Sequence, residues 1–319
     1  MTPIYIIVYE GKDVTRDFSP LLESLIFREY LENKAAELEL TFANAEGWFL
    51  NDWYPAIKDK ITCKLGYKES ALMDCGIFFV DDVTLSGGRS GDAASFRAMS
   101  AEASSIYSDV LRKNREGKTL SELIPEEAGR LGFTAKGNLD GTWSGIQKAT
   151  GLKFLEQIAR ETGKIMKAEG KDLVFFPLAQ IKASGVSGTI DRADVIDYSL
   201  TDKAAGRIRK CTVKCWKKAD KLLVTGTYDT GIAGGGSRTE WEDVEDAAAA
   251  KERAKNFVED WNKQGLRFQI TVPGSENYRA GIRISTTGFG IFSKTWYIAE
   301  AQHVISRSGG YTTTLTLQV

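Results

Sequence analysis

The hydrophobic period of this chain changes twice, and those changes constrain its fold more than any other feature. Over roughly the first hundred residues, apolar side chains recur at every second position, as they do along strands. PIYIIVYEG is apolar on both faces, with Ile4, Ile6 and Val8 against Tyr5, Ile7 and Tyr9, which predicts a strand covered on both sides. Gly11-Lys12-Asp13 then turns the chain. AELELTFAN sets Leu38, Leu40 and Phe42 against Glu37, Glu39 and Thr41, and DKITCKLGY repeats the device with Ile61, Cys63 and Leu65. GIFFVDDVTLSGG and SFRAMSA add two strands around the loop Ser86–Ala94. Short strands between polar turns predict an antiparallel barrel or sandwich.

The middle of the chain reads with a helical period. TLSELIPEEAGRLGF opens on a capping box, Thr119 to Glu122, and Pro125 is expected to kink or restart that helix. LKFLEQIARETG puts Leu152, Leu155, Ile158 and Ala159 on one stripe and stops at Gly163, a C-cap. The hairpin KIMKAEGKDLVFFP follows, turning at Glu169-Gly170. From about residue 183 strands return in DVIDYSLTD, in IRKCTVKCWK and in KLLVTGTYD. A second capping box, Thr239 to Glu242, announces a helix whose Val244, Ala247, Ala248, Ala254, Val258 and Trp261 form a stripe for packing on a barrel wall. Three strands close the chain, the last being YTTTLTLQV.

The two β regions end on a common plan. ITCKLGY closes on Gly66-Tyr67 and IRISTTGFG on Gly288-Phe289-Gly290; an aromatic-rich strand follows each, then a Gly-Gly pair at 87–88 and 309–310, then a final strand. A duplication accounts for the order β region, α+β unit, β region. The expected architecture is therefore mainly β with an α+β insertion: two related antiparallel β-barrels flanking a small α+β domain. The expected boundaries are 1–105 for the first barrel, 106–182 for the α+β domain and 183–319 for the second barrel, with its helix near 240–263. Three such chains around an axis would present six barrel-like units, a quasi-sixfold ring built from a threefold oligomer.

Composition removes several function classes. Apolar residues make up 42% and charged residues 27%, ordinary globular usage. No window approaches the ~20 apolar residues of a membrane span, so no membrane insertion is expected. MTPIYIIVYEGKD lacks the basic start of a signal peptide, which predicts synthesis and folding in the cytoplasm. The 42 basic and 43 acidic side chains nearly cancel, and no concentrated basic footprint predicts stable nucleic-acid binding. The first hundred residues are acidic, with 10 basic against 16 acidic groups; in a ring they would suggest an acidic channel lining. Cys63, Cys75, Cys211 and Cys215 have no CxxC spacing and read as buried thiols rather than metal ligands.

Chemistry-bearing motifs are scarce. His303 is the sole histidine, so any histidine-based catalysis must pass through a residue that sits in the strand-like YIAEAQHVISR. There is no GxSxG, GxxxxGK[ST] or HExxH, and the glycine run 231–236 reads as a hairpin tip. Asp81-Asp82 lie on opposite faces of one strand and cannot straddle a glycosidic bond. No catalytic residue, metal or cofactor is assigned.

Several segments resemble the late control protein D family, the baseplate hub proteins of contractile phage tails, related to the hub portion of type VI secretion spike proteins. The likeness lies in GKDVTRDFSPLLESL, AELELTF and LGYKESALMDCGIFFVDDVTLSGG, then in TLSELI, IQKATGLKFLEQIARETG and LVFFP, and finally in GFGIFSKTWYIAEAQHVISRSGGYTTTLTL. The segment IFREYLENKAAELEL departs from the usual regular strand–loop–strand. The resemblance implies two related barrels with an α+β domain between them, assembled as a homotrimer that joins a sixfold tail tube to a threefold spike. Its partners would be the tail tube protein, the tail spike protein and other baseplate proteins, and it would carry no enzymatic activity. It would assemble in the bacterial cytoplasm and end in a virion or tail-like particle. Gly66, Tyr67, Gly288, Phe289 and Gly290 would be turn and core positions, and Trp296 and His303 barrel-strand positions. Any spike or cell-wall-degrading domain would be a separate protein. Two rivals stay open: a cell-wall-degrading tail enzyme using paired carboxylates, and a barrel-type oligosaccharide- or nucleic-acid-binding module.

Overall fold

The computed structural model describes residues 1–32, 34–89, 91–100, 114–147, 151–169, 171–203, 206–217, 220–263 and 265–319. The 105/106 boundary, residues 148–150 of the IQKATG fragment and Gly170 of the hairpin lie outside the described residues.

The opening region forms β1 (Pro3–Tyr9), the short β2 (Lys12–Asp13), α1 (Thr15–Phe18), β3 (Leu22–Tyr30), β4 (Glu37–Ala43), β5 (Lys60–Tyr67), β6 (Met73–Ser86) and β7 (Ala93–Met99). Alternation decides the faces. Leu38, Leu40 and Phe42 of β4 are buried among Phe27, Phe78 and Phe96, while Glu37, Glu39 and Thr41 point away. β3 is a nine-residue strand whose register with β4 shifts between Leu22 and Ser24 and then runs evenly from Ser24 to Arg28.

The middle region comprises β8 (Asn114–Thr119), α2 (Leu120–Arg130), β9 (Thr134–Gly137), β10 (Thr142–Ile146), α3 (Leu152–Glu161), β11 (Lys164–Glu169), β12 (Asp172–Pro177) and α4 (Leu178–Ala183). Helices α2 and α3 pack over these strands around Trp143, Phe154 and Phe175. At the start of α2 the Thr119 hydroxyl donates to the Glu122 carboxylate at 2.8 Å. The helix then runs unbroken through Pro125, so the expected restart does not occur. Burial of Leu123 and Ile124 on one side and Glu127 and Ala128 on the other holds the turn that proline would loosen.

The closing region forms β13 (Val186–Asp191), β14 (Asp197–Asp202), β15 (Ile208–Lys217), β16 (Leu222–Asp229), β17 (Gly236–Trp241), α5 (Ala247–Asn262), β18 (Leu266–Pro273), β19 (Arg283–Thr287), β20 (Thr295–Ser306) and β21 (Gly310–Gln318). Strands β15–β17 make a sheet of their own, ordered β16-β15-β17, and α5 packs on it rather than on the wall of a larger barrel. The expected capping box at Thr239–Glu242 is not a helix start. Thr239 lies inside β17, paired with Thr212, and α5 begins at Asp246, whose carboxylate accepts from the Ala249 amide at 2.8 Å. Parallel pairing with β15, between residues far apart in sequence, overrides the local signal. Arg253 of α5 ties this unit to the middle one: its guanidinium lies 3.4 Å from Glu161 and donates to the Ser144 carbonyl at 3.1 Å.

The remaining strands join in one sheet of thirteen, almost wholly antiparallel. In the opening region the neighbours run β1-β5-β6-β7-β4-β3; in the closing region they run β13-β19-β20-β21-β18-β14. Matched by place in the chain, the two orders are the same. Only one ladder differs in direction, β1 lying antiparallel to β5 and β13 parallel to β19. Even the irregularities correspond: a register shift skips Asp81 in β6 and another skips Ala299 in β20. Each bulge inverts the alternation, so that Phe78 and Val80 face the core before it and Val83 and Leu85 after it, as do Trp296 and Ile298, then Ala301 and His303.

Neither string closes into a ring among the described residues, which corrects the expectation of closed barrels. The reason is that a strand has two edges. Closure of the opening string requires β1 to meet β3, yet β3 already pairs β4 on one edge and β20 on the other.

Candidate functional site

The junction of β3 with β20 is where the two strand strings meet, and it gathers buried polar and aromatic groups from several elements. β20 is long enough to serve two partners along one edge: Thr295–Tyr297 pair β19, and Glu300–Ser306 pair β3. His303 faces Phe27 across the ladder, and the two rings stack at 5.8 Å and 21°.

His303 is fully buried. Its Nε2 lies 2.9 Å from the Tyr278 carbonyl oxygen, which only accepts, so Nε2 carries the proton. Nδ1 then accepts from the Tyr311 hydroxyl at 2.9 Å, with Thr313 Oγ1 at 3.2 Å. Burial pushes its pKa down to about 4, against the pull of the Tyr278 carbonyl and the Glu29 charge. The ring is neutral, held at both nitrogens and sealed from solvent, a strand residue that fixes the junction.

Beside it sits Glu29, also buried. Its carboxylate accepts from Arg279 Nε at 2.8 Å and Nη2 at 3.0 Å, from Lys167 Nζ at 2.9 Å and from the Ala280 amide at 3.1 Å. Burial works to raise its pKa, but the Arg279 hydrogen bond and the charges of Lys167 and Arg279 outweigh it and bring the pKa to about 2. Glu29 comes from β3, Lys167 from β11 and Arg279 from the loop before β19, so this one carboxylate binds all three regions of the chain. These groups border a cleft of about 520 Å³ that is also lined by Lys64, Asp74 and the buried Ser100. On the other face of the junction Arg28 donates to Gln302 Oε1 at 3.0 Å and pairs with Glu39 at 3.0 Å.

The residues singled out from the sequence fall into two groups. Tyr67 and His303 meet at the junction through Tyr311, whose ring lies 5.2 Å from Tyr67 and 6.0 Å from His303. Gly66 precedes Tyr67 in β5, where a Cβ would stand 3.2 Å from Leu72 Cδ2. Trp296 lies in the closing region's own core with Phe289 packed against it, while Gly288 and Gly290 are exposed turn positions beside them. Gly288 has φ +78°, and a Cβ there would come within 2.8 Å of Arg192 Cβ. Phe289 packs edge-on against Phe268 at 5.0 Å and Tyr198 at 5.4 Å, and Gly290 opens a short 3-10 turn. The Trp296 ring lies 5.3 Å from Phe268, and its Nε1 donates to Thr286 Oγ1 at 3.0 Å. The four cysteines are all buried free thiols. Asp81 and Asp82 both approach Arg97, at 3.3 and 3.7 Å.

Sequence reading missed Glu29, Arg279 and Lys167. Each is an ordinary charged residue in a polar stretch, and nothing local marks three positions so far apart as partners.

No family profile matches the chain. A probable baseplate hub protein of Escherichia phage P2 is 25% identical over 222 residues, covering 64% of this chain and 54% of that protein. The chain thus spans about half the length of the curated relative it matches. The crystal structure of a 43 kDa tail protein of prophage MuSo2 from Shewanella oneidensis superposes with a TM-score of 0.74 at 15% identity, covering 99% of this chain and 98% of that one. An Escherichia coli component of the type VI secretion system, described as structurally similar to phage T4 tail proteins, superposes with a TM-score of 0.55 at 12% identity, over 93% of this chain and 73% of that one.

Proposed function

We propose, from its similarity in sequence to a probable baseplate hub protein and in fold to a prophage tail protein, that the chain is a structural hub of a contractile phage tail or tail-like particle, a homotrimer joining a sixfold tail tube to a threefold spike. The observation that carries the proposal is the strand order repeated within one polypeptide. Two alike units per chain, taken three times, give six similar faces toward a tube and a true threefold toward a spike. On this reading residues 1–105 and 183–319 hold two related barrel-like domains, open in the single chain, and 106–182 the α+β domain between them. The α5 sheet is an elaboration of the second.

The chemistry of the junction supports a structural role. Its histidine and carboxylate are spent on holding elements together, and Asp81 and Asp82 share one arginine instead of facing a cleft. Tube, spike and other baseplate proteins would be the partners, and the tail-like particle the final location. Co-sedimentation with separately purified tube and spike proteins tests this. A complex with three copies of this chain per spike is expected; a chain that binds neither protein overturns the reading.

A further inference from the structure

Resting on the hub reading and deepening it, one feature of the repeat names the surface by which copies join. In β20 the edge that leaves β19 after Tyr297 is taken up by β3. The equivalent strand β6 leaves β5 after Phe79, Val80 still bonds the backbone of Lys58 and Asp59, and among the described residues nothing pairs the same edge over residues 81–86. The equivalent of β3 is β14, which pairs β18 on one side and no described strand on the other. The chain therefore makes the junction once, between its own two units, and carries both halves of a second junction that it cannot close on itself.

We infer that β14 of one copy adds antiparallel to the second half of β6 of the next copy, reproducing the β3–β20 junction between molecules. The register follows from the internal one. The two bulges equate Ala299 with Asp81, and the ladders to β4 and β18 equate Phe27 with Leu200. His303 opposite Phe27 then becomes Leu85 opposite Leu200, Gln302 opposite Arg28 becomes Thr84 opposite Thr201, and Glu300 opposite Tyr30 becomes Asp82 opposite Lys203.

The chemistry of these pairs agrees with contact. Leu85 and Leu200 are each half-buried against their own unit's core, leaving the rest of each side chain for the other to cover. Asp82 and Lys203 are both exposed and opposite in charge. Threonines opposite one another already bond across two ladders of this protein, Thr212 with Thr227 at 3.1 Å and Thr271 with Thr314 at 3.0 Å. The alternating half-buried and exposed residues of β6 after its bulge, and the exposed Ile196 and Tyr198 at the start of β14, are what edges awaiting strands look like. The contact is head-to-tail, so repetition generates a ring if the rotation closes.

Cysteine cross-linking of the full chain tests the pairing, since its native cysteines are buried. The Thr84→Cys/Thr201→Cys double variant, oxidised at high protein concentration with and without spike protein, should give covalent dimers and trimers on a non-reducing gel. Thr84→Cys/Ser199→Cys, out of register by two residues, should give at least several-fold less. Asp82→Lys should lose most of the assembly, and adding Lys203→Asp should restore it. A trimer by mass with no cross-link at 84/201 overturns this pairing and leaves the hub reading standing. Monomers without cross-links, even with spike protein present, overturn both.

Discussion

His303 and Glu29 are linked to solvent pH although neither touches solvent freely. The folded state holds the histidine neutral, with its pKa depressed from 6.5 to about 4. Its contribution to stability is complete above the unfolded value and is lost as pH falls from there through about 4. Glu29, lowered from 4.5 to about 2, loses its contribution further down, as pH falls through about 2. Stability should therefore decline in two stages on acidification, and His303→Gln should flatten the first; an unchanged slope between pH 6.5 and 4 in urea melts would contradict this assignment. Removing the carboxylate should cost more. Glu29→Gln leaves Arg279 and Lys167 without their shared anion, and since both retain partial solvent access the loss should be about 2–4 kcal/mol, at the lower side of values for broken buried pairs. Equilibrium unfolding would measure it, and a midpoint equal to wild type would show the ionic seam to be dispensable.

At the scale of elements, helix α5 rests on β16 at Gly226, where a Cβ would stand 2.2 Å from the Lys251 backbone nitrogen. No side chain fits between them. Gly226→Val should lift the helix and destabilise this unit by about 3 kcal/mol or more, at the top of the range for overpacked sites. The readout is local. Cys211, whose thiol burial pushes up to about 11, and Cys215 should become reactive to a thiol reagent, while Cys63 and Cys75 stay protected under the opening sheet. Equal labelling of all four would mean that the unit has no independence. Such contacts explain what pattern reading could and could not find. The sequence stripe finds Val244, Ala254, Val258 and Trp261 on the packed face but includes Ala247 and Ala248, which are exposed, and omits the buried Ala250; the surface the helix meets is not legible at all. The sequence strip also misplaces the helix start, because Thr239 mimics a cap while sitting in a strand.

For the molecule as a whole, the β3–β20 ladder makes one sheet of what would otherwise be two. Hydrogen exchange should show β3 and the second half of β20 opening together, with β15–β17 opening separately and earlier. Phe27→Ala, which removes the ring stacked on His303, should cost roughly 3–5 kcal/mol and speed exchange on both sides of the ladder. Exchange confined to the opening region would refute a shared cooperative unit.

Alternation along β4, β5, β18 and β21 determined which side chains face inward, because a strand's two faces depend only on parity, and the paired Gly-aromatic endings hinted at the strand order that the opening and closing regions share. Parity says nothing about edges. Backbone N–H and C=O groups are the same in every residue, so the choice of β20 over β1 as the neighbour of β3, the opening of both strings, the separate sheet under α5 and the meeting of Glu29 with Arg279 and Lys167 were decided only when the chain was folded in three dimensions.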